Sequence, residues 1–420
     1  MNMPKKDPNT YFSASPDATG FDAAFAVPFR YRVRFTHSAF DVKNETIRSL
    51  IAAVDAPVRM LAFVDAGVAS AWPTLLDDIR QYSTFHRDVI ELAHEPEVLS
   101  GGEFAKNNRD VVDSVLRAIE AHAICRQSIV LAIGGGAMLD AVGFAAATAH
   151  RGVRLVRLPT TTLSQADAGV GVKNGINAFG KKNFIGCFAP PWAIVNDERF
   201  LTTLSDREWR AGLAEAIKVA LLKDAAFFAD IESAADALAQ RDNSAASRIL
   251  RRAAELHIEH IVRGGDPFET QSARPLDFGH WSAHKLEEMS GFRIRHGEAV
   301  AIGVALDTLV STMDRRLPES DAQRILTCIA TTGLPLYHML LENLDALREG
   351  IEQFRQHMGG RLTITLLDAI ARPIDVHHID FDAIRKAVGY LASYVPARGN
   401  LTFSLDEPIE RRNDRNVRRG

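Results

Sequence analysis

Cysteine is scarce in this chain of 420 residues. Cys125, Cys187 and Cys328 are odd in number and far apart, so no disulfide framework is implied and a reducing, cytoplasmic setting is expected. No run of eighteen apolar residues occurs, and none is read as a membrane span. The N-terminus, MNMPKKDPNTYFSASPDATG, lacks the apolar centre of a signal peptide. Basic charge is not in excess either; a net charge of −4 argues against general nucleic-acid binding. What remains is 46% hydrophobic and 24% charged, an ordinary globular composition at a length that suits two domains or two lobes.

Along the chain, Tyr31–Phe35 alternates as a strand, and Val58–Val64 is a continuously apolar run ending at Asp65. Asn107–Ala123 reads as an amphipathic helix. Ser128–Ile133 is a second buried strand that runs into Gly134–Gly136, followed by a helix over Ala137–His150 and a strand over Val153–Leu158. These patterns predict an α/β N-terminal domain with a parallel sheet. After Leu204 the pattern turns to helices over 205–223, 243–263, 278–290, 297–314, 319–332 and 380–395, and an all-α C-terminal domain is expected. Leu362–Leu367 reads as a strand or as loop packing. The expected boundaries are a disordered arm (1–27), an α/β domain (28–204), a helical domain (205–408) and a basic tail (409–420).

Four stretches carry chemistry. In Arg274–Glu298, His280 and His284 are four apart and share a helical face, while His296 opens the next helical run. Imidazoles so placed suit a zinc-type ion, although such pairs also arise by chance. The strand–GGG–helix at 128–150 lets a backbone approach a pyrophosphate at a helix N-terminus, but its spacing is not the GxGxxG fingerprint. Asp65 either binds a ribose hydroxyl or caps a helix. Leu158–Ile185 offers hydroxyls at Thr160, Thr161, Thr162 and Ser164, with Asp167, Lys173, Lys181, Lys182 and Asn183, a set that suits a phosphate monoester. Glu215 and Lys218 lie three apart in an apolar helix; if buried, they need each other, a metal or a substrate anion.

LSGGEFAK (99–106), AIGGGAMLDAVGFAA (132–146), HRGVRLVRLPTTTLSQADAGVGVKN (150–174), GKKNFIGCFAPP (180–191), LTTLSDREWRAGLAEAIK (201–218) and FGHWSAH…HGEAVAIG (278–303) together resemble the dehydroquinate synthase-like sugar phosphate cyclases. The resemblance covers roughly residues 58–310 in order. It implies an NAD-binding α/β domain, a helical domain, and zinc or cobalt between them. It implies Glu215, His280 and His296 as metal ligands, which displaces the His280/His284 pair and turns His284 toward substrate. Asp167, Lys173, Asn183 and Lys218 match substrate positions. Arg151 matches an arginine that reaches a neighbouring subunit, implying a homodimer. Gly135, Gly136, Asp140, Thr160, Thr161 and Leu163 match NAD contacts, and Asp65, Glu103, Lys106 and Lys182 do so more loosely. The implied chemistry is oxidation of a sugar phosphate alcohol, loss of phosphate, reduction of the ketone and aldol closure, with NAD returned unchanged.

Departures from the family's pattern bear on the substrate. Where dehydroquinate synthases carry a lysine and an arginine around the substrate carboxylate, this chain has Glu259 and Ala273, with Arg274 one place off. Asp277 stands for the usual Asn, and Gln356-His357 for a lysine pair. A seven-carbon sugar phosphate without a carboxylate is therefore expected. The alternatives are an authentic 3-dehydroquinate synthase with Arg274 restoring the clamp, a metal-dependent polyol dehydrogenase, and an inactive scaffold.

Overall fold

The structure, a computed structural model, describes residues 11–14, 19–52, 57–107, 109–179, 181–268, 276–357 and 360–394. They fall into two compact units that part between Thr203 and Leu204. Among the described residues no helix is long and apolar enough to cross a membrane.

The first unit opens on a ribbon of β1 (Tyr11–Ala14) and β2 (Phe21–Ala24), paired antiparallel. This corrects the disordered arm at those positions: aromatic residues on both segments favour extended pairing despite the polar composition around them. Residues 1–10 and the tail 409–420 lie outside the described residues.

Seven strands form the main sheet: β3 (Val33–Thr36), β4 (Val58–Asp65), β5 (Ile90–Leu92), β6 (Glu97–Leu99), β7 (Ile129–Gly134), β8 (Arg154–Pro159) and β11 (Ala193–Asp197). Their order is β3-β11-β8-β7-β4-β5, with β6 also pairing β4, and every pairing is parallel. Successive residues of β4 face opposite cores. Met60, Ala62 and Val64 pack with α1 (Thr46–Ile51) and α3 (Leu75–Phe85). Leu61 and Phe63 pack with α5 (Asp110–Ala121) and α6 (Gly136–Thr148). Burial on both faces is why these strands read as unbroken apolar runs. Short helices α2 (Ala66–Ala71) and α4 (Phe104–Asn107) follow β4 and β6.

From β4 the chain first builds β5 and β6 on one side, then crosses to β7 on the other. The carboxyl ends of β4 and β7, at Asp65 and Gly134, therefore flank the switch point, where open parallel sheets hold ligands. The polar stretch after β8 contains an antiparallel hairpin, β9 (Lys173–Ala178) with β10 (Lys181–Phe188).

In the second unit the helices are α7 (Asp206–Lys223), α8 (Ala225–Ala239), α9 (Asn243–Arg263), α10 (His280–Met289), α11 (His296–Met313), α12 (Glu319–Thr331), α13 (Leu344–His357) and α14 (Phe381–Ser393). Helices α8 and α13 were not anticipated. Asp224 ends α7 and caps α8, its carboxylate accepting from Ala226 and Phe227 N–H, so the two run together in sequence without a loop. The unit is not all-α. Strands β12 (Ile364–Ala369) and β13 (Arg372–Val376) form an antiparallel hairpin, the strand alternative for Leu362–Leu367. The buried, β-branched and Leu-rich run of β12 packs against α11, which compensates for the short sheet. Helix α11 is buried on all sides, which removes the amphipathic period from its sequence.

Candidate active site

Glu215 on α7, His280 at the start of α10 and His296 at the start of α11 converge in the second unit. One ligand atom from each lies within 4.8 Å of the other two. Glycines make the convergence possible. A Cβ on Gly297 would stand 2.2 Å from the Ala211 carbonyl oxygen, so only glycine lets the first turn of α11 reach α7. Gly279 has φ +77° and a Cβ there would meet the Val304 nitrogen at 2.5 Å, so α10 starts directly against α11. Arg207 on α7 then clamps Glu298 on α11 through two contacts of 2.5 and 2.6 Å, beside His296.

The donor set fits a metal of the zinc type. Glu215 is buried, and neither of its oxygens has a well-aligned hydrogen bond, although Lys218 Nζ stands 2.5 Å from Oε2 and His296 Nε2 3.3 Å from Oε1. His280 Nδ1 lies 3.2 Å from the Phe278 carbonyl and His296 Nδ1 3.1 Å from Glu287 Oε2. Each contact leaves Nε2 for the ion and fixes its ring, as in carboxylate–histidine–metal sites. A second grouping, His284 with Glu287 and His296, has the same reach. It is the weaker centre, because Glu287 already occupies His296 Nδ1 and His284 is exposed.

Burial, aided by Lys218 and the neighbouring imidazoles, pushes His280 well below its ordinary value and keeps it neutral. Burial alone would lower His296 too, but Glu287 and Glu215 outweigh it and raise the group to about 10. Glu215 would be raised by burial; the Lys218 cation and His296 outweigh that and hold it at about 2. A protonated His296 thus balances two carboxylates, in the place where a divalent ion would take over that charge.

In the first unit, Gly135 caps α6 and Thr160 N–H donates to the Gly134 carbonyl at 3.0 Å. A Cβ on Gly135 would meet the Thr161 methyl at 3.4 Å, and one on Gly136 the Ala168 Cβ at 3.1 Å. The glycine turn and the Thr160–Thr161 segment are therefore in contact. Lys106 donates to Asp140 at 2.7 Å and to the Asn183 side-chain oxygen, while Lys182 Nζ stands 3.7 Å from Glu103. Glu103 also accepts from Asn177 Nδ2 at 2.7 Å. Glu103, Lys106, Asp140, Lys182 and Asn183 are thus one polar network, with Asn177 as a member that sequence reading missed.

Asp65 caps α2, accepting from Gly67 N–H at 2.8 Å, with Gly101 packed against its carboxylate. The cap alternative is therefore the one visible in its contacts. Asp167 sits in a single π-turn, Ser164–Ala168, next to half-buried Leu163, and Lys173 opens β9 with an exposed side chain. Arg151 is exposed on a short turn with φ +61°. Glu259 pairs with Arg263 one turn along α9, and Arg274 lies outside the described residues.

Two further residues escaped notice. Glu287 lies seven residues after His280 and three after His284, on their face of α10, so its spacing was the available signal. Arg157, a lone cation in the apolar run LVRLP, is fully buried. It donates to the Gly169, Gly171 and Lys173 carbonyls and, at 2.6 Å, to the Asn174 side chain, holding the stretch between Asp167 and Lys173.

The family models for the 3-dehydroquinate synthase N-terminal and C-terminal regions match residues 97–211 and 212–357. A 2-epi-5-epi-valiolone synthase from Streptomyces glaucescens is 31% identical over 385 residues, 90% of this chain and 95% of that protein. The chain belongs to the dehydroquinate synthase-like sugar phosphate cyclases. A 3-dehydroquinate synthase from Rhodopseudomonas palustris (strain BisB18) is 33% identical over 379 residues, 86% of this chain and 95% of its own length. Among solved structures, a 2-epi-5-epi-valiolone synthase from Streptomyces hygroscopicus subsp. jinggangensis 5008, with NAD+ and Zn2+ bound, superposes with a TM-score of 0.79 at 29% identity. It covers 88% of this chain and 99% of that one. Membership places the chain among enzymes, and the two family models together span residues 97–357.

Proposed function

We propose that the chain is an NAD- and metal-dependent cyclase of a seven-carbon sugar phosphate whose head carries no carboxylate. The observation that carries the reading is the buried Glu215 carboxylate, without a well-aligned hydrogen bond, facing His280 and His296 within 4.8 Å. In the net reaction a C–O bond to phosphate breaks, one ring C–C bond forms, and the nucleotide leaves as it entered. A zinc- or cobalt-type ion on Glu215, His280 and His296 would supply Lewis-acid polarisation of a substrate oxygen, and NAD over Gly134–Gly136 a reversible hydride acceptor.

The chain's own groups supply the rest. The amide N–H groups at the start of α6 and the Thr160–Thr161 hydroxyls offer donors for a pyrophosphate. Lys106, fixed between Asp140 and Asn183, keeps Asn183 oriented for substrate. Lys173 and Lys218 supply positive charge and His284 a hydrogen bond for the leaving phosphate, with Asp167 and Asn183 binding hydroxyls. Glu287 holds the Nδ1 proton of His296 and so fixes its tautomer.

The substrate class rests on Glu259, an acid paired with Arg263 where the family's lysine stands, and on the likeness to valiolone synthases across nearly the full chain. The test is phosphate release from sedoheptulose 7-phosphate with NAD and Co2+ or Zn2+, followed together with absorbance at the NADH band. Phosphate release without net NADH supports the cyclase. NADH accumulating in step with product would establish a dehydrogenase instead.

A further inference from the structure

The first unit gathers a second set of metal-type donors. His94 lies in the turn between β5 and β6, Glu97 opens β6, and His122 caps the C-terminus of α5. One ligand atom from each stands within 4.8 Å of the other two. The two imidazoles stack with centroids 4.1 Å apart and planes 17° from parallel. Among the described residues, none of the three side chains has a hydrogen-bond or ion-pair partner.

Stacked rings beside a solvated glutamate would be an ordinary surface contact if each group had its own partner. Here donors from the β5–β6 turn, the start of β6 and the end of α5 lie within 4.8 Å of one another, with no other protein partner among the described residues. No lysine or arginine neutralises Glu97 among the described residues. Bonds of about 2.0–2.2 Å to one ion bring its donors to roughly 3.3–3.6 Å from each other; because each nitrogen lone pair lies in its ring plane, the two imidazoles must turn out of their stack to share the ion. Two nitrogens and one carboxylate oxygen select zinc-class ions over Mg2+ or Ca2+, with water left for the fourth position.

We propose that His94, Glu97 and His122 form a structural site for a borderline divalent ion, Zn2+, Co2+ or Ni2+, separate from the Glu215 centre. The ion ties the β5–β6 turn to the end of α5. Glu97 is paired to Phe63 and Leu99 to Asp65 on β4, and Gly101 then packs on the Asp65 carboxylate. Fixing β6 therefore fixes the approach to Gly101 and Glu103, next to the switch point.

The experiment is metal stoichiometry on full-length protein stripped with chelator and then dialysed against Zn2+ or Co2+. His94→Gln and His122→Gln are each expected to bind one equivalent less than the parent, whatever the Glu215 centre holds. The same difference is expected in a Glu215→Ala background, which separates failure of this site from failure of the catalytic one. Thermal unfolding in chelator should be unchanged by either substitution, whereas the rise in melting temperature on adding Zn2+ should shrink. Variants that fold normally and bind as many equivalents as the parent would overturn the proposal.

Discussion

His296 and Glu287 are joined by a 3.1 Å contact from Nδ1 to Oε2, and the other edge of the same imidazole faces Glu215. Glu287 is buried, so its charge is directed at the histidine rather than dissipated in solvent. Glu287→Gln keeps the size but removes the charge that fixes the tautomer. Its metal affinity should fall by about 10- to 100-fold, measured by competition with a chelating dye, while the unfolding midpoint in chelator moves little. Unchanged affinity would place Glu287 outside the metal's support.

Asp307 should leave a signature in the pH dependence of stability. It is fully buried on α11, accepting from Gly279 N–H and Trp281 Nε1, both at 2.9 Å, on either side of His280. Burial raises its carboxyl to about 7 against those two donors. A folded-state pKa above the unfolded one means that the protonated group stabilises the fold at low pH. That contribution is full below about pH 4 and is lost as pH rises through about 7. Asp307→Asn should therefore flatten the difference curve between pH 4 and 8 in chemical denaturation of the metal-free protein. A parallel curve would show that Asp307 does not titrate there.

Arg157→Leu leaves three carbonyls that the guanidinium now serves. Breaking such a buried charged group's contacts costs on the order of 3 kcal/mol, readable as a lower denaturant midpoint. Because the stretch from Asp167 to Lys173 loosens, KM for the phosphate substrate should rise more than kcat falls. Arg157→Lys should restore part of both.

Arg151 is exposed on its turn, in keeping with a role toward a second copy of the chain. If sites are shared in a dimer, mixing Arg151→Ala with Lys173→Ala protein should recover activity that neither has alone. No recovery, with subunit exchange shown by mixed tags, would confine Arg151 to its own subunit.

Legibility in the sequence followed burial geometry. Strands β4, β7 and β8 were plain because both faces of a parallel sheet demand apolar residues at every position. Helix α8 was lost because Asp224 both ends α7 and starts its successor, leaving no loop to see. Spacing proposed His280 with His284, and resemblance replaced His284 by Glu215. Convergence of Glu215 depends on Gly297 and Gly279 admitting close helix contacts, which no linear period encodes. Glu287 was marked only by its spacing from His280 and His284, and Arg157, a lone cation in an apolar run, acts mostly through backbone carbonyls, which leave no pattern in the sequence.

Substrate charge is the sharpest remaining test. A carboxylate drawn from water needs charged donors or several hydrogen bonds in return, or its desolvation is uncompensated. Glu259, in the register of a clamping lysine, contributes an acid whose charge is spent on Arg263. Each charged hydrogen bond missing from the clamp costs about 1.5–3 kcal/mol, roughly ten- to hundredfold in rate or affinity. Sedoheptulose 7-phosphate should accordingly turn over far faster than the seven-carbon keto-acid phosphate. Arg274, one place off the family's clamping arginine in sequence, is the cation whose position could reverse this, so both substrates should be compared in the parent and in Arg274→Ala. Slow turnover of the acid in both proteins is the expected result. Fast turnover of the acid that collapses in Arg274→Ala would make Arg274 the clamp, and the enzyme a dehydroquinate synthase.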